Sequence, residues 1–171
     1  MGKLFEEIDE QLGAWLSAQP LFFVATAPRA GGHVNVSPKG VPETFEIRGP
    51  REVSYVDLVG SGIETVAHLR ENGRITLMFC AFAGPPRIVR LYGRGRVEAP
   101  NGLEGSRATI VVDVERIADS CGYGVPLMAY ESERPQRLAW LAKKQRDGLL
   151  EEYVAEQNAV SIDGLPGLGW D

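Results

Sequence analysis

The chain has 171 residues, enough for one domain to bury about 70% of the surface its unfolded chain exposes, so a sizeable core needs no disulfide or metal support. Hydrophobic residues make up 44% and charged residues 24%, which excludes a disordered or fibrous chain, and no apolar run approaches the roughly 18 to 20 residues of a membrane helix. The formal net charge of −5 argues against nucleic acid as the main partner, because such binders present a broad basic face.

The first residues, MGKLFEEIDEQLGAWL, are acidic and amphipathic rather than signal-like, so a cytoplasmic address is expected. Leu4, Phe5, Ile8, Leu12, Trp15 and Leu16 recur at spacings of three and four. This spacing predicts an amphipathic helix over residues 3–18 that ends near Pro20 and packs on a sheet.

From there the pattern changes to short runs rich in Val, Ile, Phe, Tyr and Thr, broken by Gly and Pro. Seven strand candidates follow: 21–27, 33–37, 43–48, 52–58, 74–82, 87–99 and 107–117. Their connections PRAGG, RGPR, AGPP and APNG carry turn chemistry and are short enough for hairpins, which points to an antiparallel barrel. Gly93 and Gly95 inside the longest run fit a barrel bend. One helix interrupts the series: Ile63, Val66, Ala67 and Leu69 form its apolar face, Gly73 stops it, and His68 is expected at its surface. After Ser132 the text is helical through about Asn158, broken near Gly148, and a Gly- and Pro-rich tail follows. The expected fold is therefore mainly β with helices (α+β), a six- to seven-stranded Greek-key-type barrel. One domain spans 1–171, with a helix over 1–19, the barrel over 20–130, and helices and tail over 131–171.

Several segments carry candidate chemistry. His33, Asn35, Ser37 and Lys39 alternate with Val34 and Val36, so one face of that strand is polar, as a solvated surface or as a ligand wall. Pro38 lacks a backbone donor, so pairing is expected to stop there and leave the Lys39 ammonium free to reach a ligand. Gly60-Ser61-Gly62 sits at a strand-to-helix junction, where backbone N–H groups can seat a phosphate. Ser61 and Glu64 also match a capping box, which would satisfy the helix start by itself.

Between Thr65 and Val97 stand Arg70, Arg74, Arg87, Arg90, Arg94 and Arg96 against the single acid Glu71, a local cationic asymmetry suited to a small anionic ligand. Arg90, Arg94 and Arg96 share one strand face with Tyr92, and a guanidinium binds phosphate well. Cys80 and Cys121 can form neither a metal cage nor a disulfide framework and read as reduced thiols, and no metal site is expected. P-loop, G-x-S-x-G, H-E-x-x-H and post-strand G-x-G-x-x-G motifs are all missing.

The runs GHVNVSPKG, YVDLVGSG, ETVAHLRENGRITLMF and RIVRLYGRGRV, over about residues 20–130, resemble the pyridoxamine 5'-phosphate oxidase-like FMN-binding split-barrel family, in particular a branch that also carries DSCGYGVP. The resemblance implies a split-barrel homodimer with FMN at the subunit interface. By the same resemblance Asn35, Ser37, Pro38 and Lys39 belong to the flavin-lining strand, Asp57, Gly60, Ser61 and Thr65 lie near the ribityl chain or phosphate, and Arg90 is a charge partner. True oxidases place an Arg-Lys pair at the start of the helix where this chain has Glu64 and Thr65, so other cations must serve the phosphate. The implied activity is hydride transfer through the flavin to or from a small organic substrate, with no side chain singled out as catalytic. A deazaflavin reductase, or a non-catalytic binder of flavin or haem, is the alternative. The apolar tail residues Leu165, Leu168 and Trp170 are expected to close the dimer or the partner's site.

Overall fold

The structure, a computed structural model, describes residues 2–168; Trp170 lies outside them. The chain runs β1 (Leu4–Phe5), α1 (Glu10–Ser17), β2 (Phe22–Thr26), β3 (Asn35–Lys39), a 3-10 turn (Pro42–Thr44), β4 (Phe45–Gly49), β5 (Glu52–Leu58), α2 (Glu64–Asn72), β6 (Arg74–Cys80), β7 (Ile88–Glu98), β8 (Ser106–Ser120), α3 (Gln136–Arg146) and α4 (Leu150–Gln157).

The predicted N-terminal helix is shorter than its apolar spacing suggests. Asp9 adopts an extended backbone and its Oδ1 accepts from Leu12 N at 2.7 Å. This cap starts α1 at Glu10, and the residues before it peel away to pair Leu4 with Ala118 and Phe5 with Ile117 on β8.

All strand pairs are antiparallel, in the order β3-β2-β6-β7-β8-β5-β4, with β1 added on β8. The helix α2 carries the chain from β5 to β6 and so from one half of the sheet to the other, as α1 does between β1 on β8 and β2. No ladder joins β3 to β4, so the barrel is open at that seam. Side chains span it from inside: Phe22 of β2 stacks on Phe79 at 5.1 Å, meets Phe45 of β4 at 5.4 Å, and meets Tyr55 edge-on at 5.6 Å. Such aromatic pairs add to the area they bury, and with Val24, Leu77, Leu91, Ile110 and Ile117 they form the core.

Pro38 does not end its strand. Pairing continues through Phe23 with Pro38 and Phe22 with Lys39. β3 is an edge strand, so the missing N–H falls on its unpaired side, where proline is tolerated.

The helix α2 lies over β2, β6 and β7 and ends at Gly73 with φ of 71°, as expected. Gly95 of β7 lies directly under it: a Cβ there would come within 2.8 and 3.0 Å of the Leu69 methyls. His68 is fully buried, not at the surface, because α2 turns it toward β2, where Nδ1 shares a 3.0 Å hydrogen bond with Thr26 Oγ1. After α4 the chain doubles back along α2. Ile162 N donates to Glu64 at 3.3 Å, Arg70 donates to the Gly167 carbonyl, and Asp163 accepts from both the backbone N and the Nδ1 of His33 at 2.7 Å. No helix among the described residues is long and apolar enough to cross a membrane.

Candidate functional site

The polar face of β3 turns inward and its valines outward. Asn35, Ser37 and Lys39 are half-buried, whereas Val34 and Val36 are 72% and 60% exposed, the reverse of a strand that shows its polar side to water. The inward side chains meet the start of α2. Ser37 Oγ donates to Asn35 Oδ1 at 3.1 Å, Asn35 Nδ2 donates to Thr65 Oγ1 at 3.0 Å, and the same amide reaches Thr26 Oγ1 at 3.4 Å. The chain of bonds runs on to His68, whose Nε2 has no partner among the described residues. Burial holds the His68 imidazole below its ordinary value, outweighing Asp163, Glu64 and Glu71, so it is neutral at pH 7.

A cleft of about 170 Å³ opens beside this network, lined by Ser37, Lys39, Leu58, Gly60, Gly62, Glu64, Thr65 and Arg107. Its floor is electrostatic. Asp57, completely buried, accepts from Lys39 Nζ at 2.7 Å and from Arg107 Nε at 2.8 Å. Burial alone would raise the Asp57 carboxyl, but Lys39 and then Arg107 more than offset it and hold the group below the ordinary carboxylate range. One carboxylate thus faces two cations, and the floor carries a surplus positive charge.

The helix start itself is uncapped. Ser61 is exposed, Ile63 occupies the cap position, and no side chain bonds there. The capping box matched by Ser61 and Glu64 therefore does not form. Glu64 instead turns back over Gly62 and toward Ile162, and no acceptor among the described residues takes the N–H groups of residues 60–66. Free amides at a helix start, beside surplus cationic charge, suit an anion.

The structure thus gathers Asn35, Ser37, Lys39, Asp57, Gly60 and Thr65 in and under one cleft, with Ser61 exposed at its lip and Pro38 on the outer side of β3. Arg90 stands apart on β7, half-buried, with Nη1 donating to Ser120 Oγ at 3.3 Å. The rest of the arginine segment is engaged elsewhere: Arg96 bonds Glu52, Glu98 and Asp113, Arg94 pairs with Glu115, and Arg87 lies 4.8 Å over the Trp15 ring. Those positive charges are answered by acids outside the segment, a pairing that sequence order hides. The cleft cation that the sequence reading missed is Arg107, at the start of β8, together with the fully buried Asn158 beside it. Cys80 is buried and Cys121 exposed, both as free thiols.

An open antiparallel barrel with a polar cleft at the crossover helix defines a split-barrel protein. Group A Streptococcus HupZ shares this fold with a TM-score of 0.54 at 20% identity, over 66% of this chain and 99% of that one. A conserved hypothetical protein of Mycobacterium tuberculosis shares it with a TM-score of 0.51 at 13% identity, over 73% and 93% of the two chains. The sequence profile described as pyridoxamine 5'-phosphate oxidase matches residues 8–145. The pyridoxamine 5'-phosphate oxidase family protein ustO of Aspergillus flavus is 42% identical over 191 residues, covering 96% of this chain and 77% of that protein. The chain belongs to the pyridoxamine 5'-phosphate oxidase family.

Proposed function

We propose that this protein is an FMN-binding oxidoreductase that works as a homodimer on a small organic substrate. The observation that carries the reading is the cleft floor: two cations on one buried carboxylate, next to a helix start whose amides have no acceptor among the described residues. That donor set fits FMN. Asn35, Ser37, Lys39 and Thr65 would line the cofactor, and the amides at the start of α2 would receive its phosphate. Bound there, FMN supplies hydride transfer, and the protein contributes orientation and electrostatics. The Lys39 ammonium, held by Asp57, places positive charge where a reduced flavin would be stabilised as an anion. Haem fits less well, since neither histidine lines the cleft: His33 is held by Asp163, and His68 is buried against Thr26.

A second copy of the chain is part of the reading. The cleft is smaller than the roughly 300 Å³ at which ligand pockets usually begin. The exposed Val36 on β3 and Val34 just before it, and Tyr123, Leu127, Met128 and Tyr130 after β8, leave apolar surface beyond what scattered solvent-exposed residues explain. A partner covering them would deepen the site. The tail, by contrast, packs on its own subunit's α2, so its described part contributes in cis.

The test is an absorption spectrum of the purified protein after FMN is added and the excess removed by gel filtration, with elution volume giving the oligomeric state. Retained oxidised-flavin bands in a dimer peak, followed by turnover of NADPH with candidate acceptors, are expected. A colourless protein would overturn the flavin reading, and a yellow protein with no turnover from any donor would make it a flavin binder. A charge variant checks the site independently. Glu64→Gln removes the negative charge that Glu64 places on the cleft wall and is expected to tighten FMN by roughly two- to fivefold, measured by fluorescence titration; unchanged or weaker binding would place the anion elsewhere.

A further inference from the structure

We propose that Arg107, held in place by Asn158, is the residue by which the cleft selects a phosphorylated flavin over a dephosphorylated one, an assignment that rests on the flavin reading above. The Arg107 side chain is more than nine-tenths buried in the cleft wall. Its Nε donates to Asp57 at 2.8 Å, and its Nη1 donates to Asn158 Oδ1 at 3.0 Å and to the Gly60 carbonyl at 3.2 Å. Nη2 has no acceptor among the described residues. Three directions of the planar fork are therefore fixed by the protein, and the remaining donor edge is left for a ligand.

The chemistry of residue 158 sharpens the case. Its Nδ2 donates to Gly60 O at 2.9 Å while its Oδ1 accepts from Arg107, so both bonds require an amide. A carboxylate there would complete the charge balance of the floor. The neutral amide orients the guanidinium and leaves the triad of Lys39, Asp57 and Arg107 with one positive charge in excess in a buried setting, an expensive arrangement that an arriving anion relieves. The unaccepted N–H groups of residues 60–66 lie beside the same wall. A phosphate monoester carries enough charge and enough acceptor oxygens to take the free guanidinium edge and these amides together. The ribityl hydroxyl that replaces it in riboflavin does not.

Fluorescence titration of the full-length chain with FMN and with riboflavin tests the assignment. The wild type is expected to bind FMN about ten- to a hundredfold more tightly than riboflavin. Asn158→Asp adds the missing negative charge and is expected to remove most of that preference, weakening FMN by about tenfold or more while riboflavin changes less than about threefold. Should Asn158→Asp fail to fold by circular dichroism, Arg107→Lys serves instead: it keeps a cation on Asp57, lacks the second guanidinium edge, and is expected to narrow the preference in the same direction. Equal affinity of the wild type for both flavins, or parallel loss of both in the variants, would overturn the role of Arg107 and leave the flavin reading standing. Binding of neither flavin by the wild type would overturn both.

Discussion

Replacement of Asp57 by alanine is expected to destabilise the fold by about 3–5 kcal/mol, because it strands two cations that the protein has already taken out of water. Asp57 is completely buried, with Lys39 Nζ at 2.7 Å and Arg107 Nε at 2.8 Å. The side chains of Lys39 and Arg107 are only 20% and 7% exposed, so solvent cannot take over the role of the carboxylate. The pair also bridges the open seam of the barrel, since Lys39 lies on the edge strand β3 and Asp57 on β5. Urea unfolding at pH 7 gives the number, and a loss below about 1 kcal/mol would show that this ion triad does not hold the seam. Adding Lys39→Met to Asp57→Ala should recover part of the loss, since one stranded cation is removed. The pH dependence has a definite sign. The Asp57 carboxyl is held below its ordinary value of 3.8, so its contribution is present in full above that value and disappears as pH falls through the lower folded value. Wild-type stability should therefore fall steeply below about pH 4, and Asp57→Asn should flatten that limb.

How much of this was legible in the sequence follows from how far apart the partners lie. The strands and α2 are written locally, in alternation, in the apolar face of Ile63, Val66 and Leu69, and in the stop at Gly73. The polar face of Asn35, Ser37 and Lys39 is written locally too. What alternation cannot say is which face turns inward, and here the polar one does. Arg107 meets Asp57 across 50 positions and Asn158 across 51. The only local hint of Arg107 is a lone cation directly before the apolar run ATIVV, while Asn158 reads as nothing more than the end of a helix. The failures are equally physical. Asp9 stopped the first helix short through a hydrogen bond that apolar spacing does not register. The S-x-x-E match at Ser61 and Glu64 lost its function because Glu64 found a tail residue 98 positions away. His68, polar by type, was buried because α2 rests on β2 and Thr26 offered it a partner.

The same sheet geometry sets a second large expectation, Gly93→Ala, which should destabilise the protein by about 3 kcal/mol or more. The register between β7 and β8 shifts between Tyr92 and Gly93, leaving Glu115 of β8 as the extra residue, a bulge that bends β8 across from Gly93 so the sheet can curl toward its open seam. At that bend the β8 backbone crowds the glycine. A Cβ added there would overlap the Asp113 carbonyl oxygen and stand 3.0 Å from its carbon and 3.1 Å from Val114 Cα. Backbone cannot swing aside as a flexible side chain can, so relief requires the β7-β8 ladder to part, and that ladder carries β8, the strand on which Arg107 sits. Gly60→Ala is the matched control, since a Cβ at Gly60 meets nothing within 4 Å and should leave the unfolding midpoint unchanged. If the two variants unfold at the same denaturant concentration, the bend at Gly93 is not what shapes the barrel. If only Gly93→Ala is destabilised, the bend between β7 and β8 is what holds this ladder, and with it the strand that carries Arg107, in place.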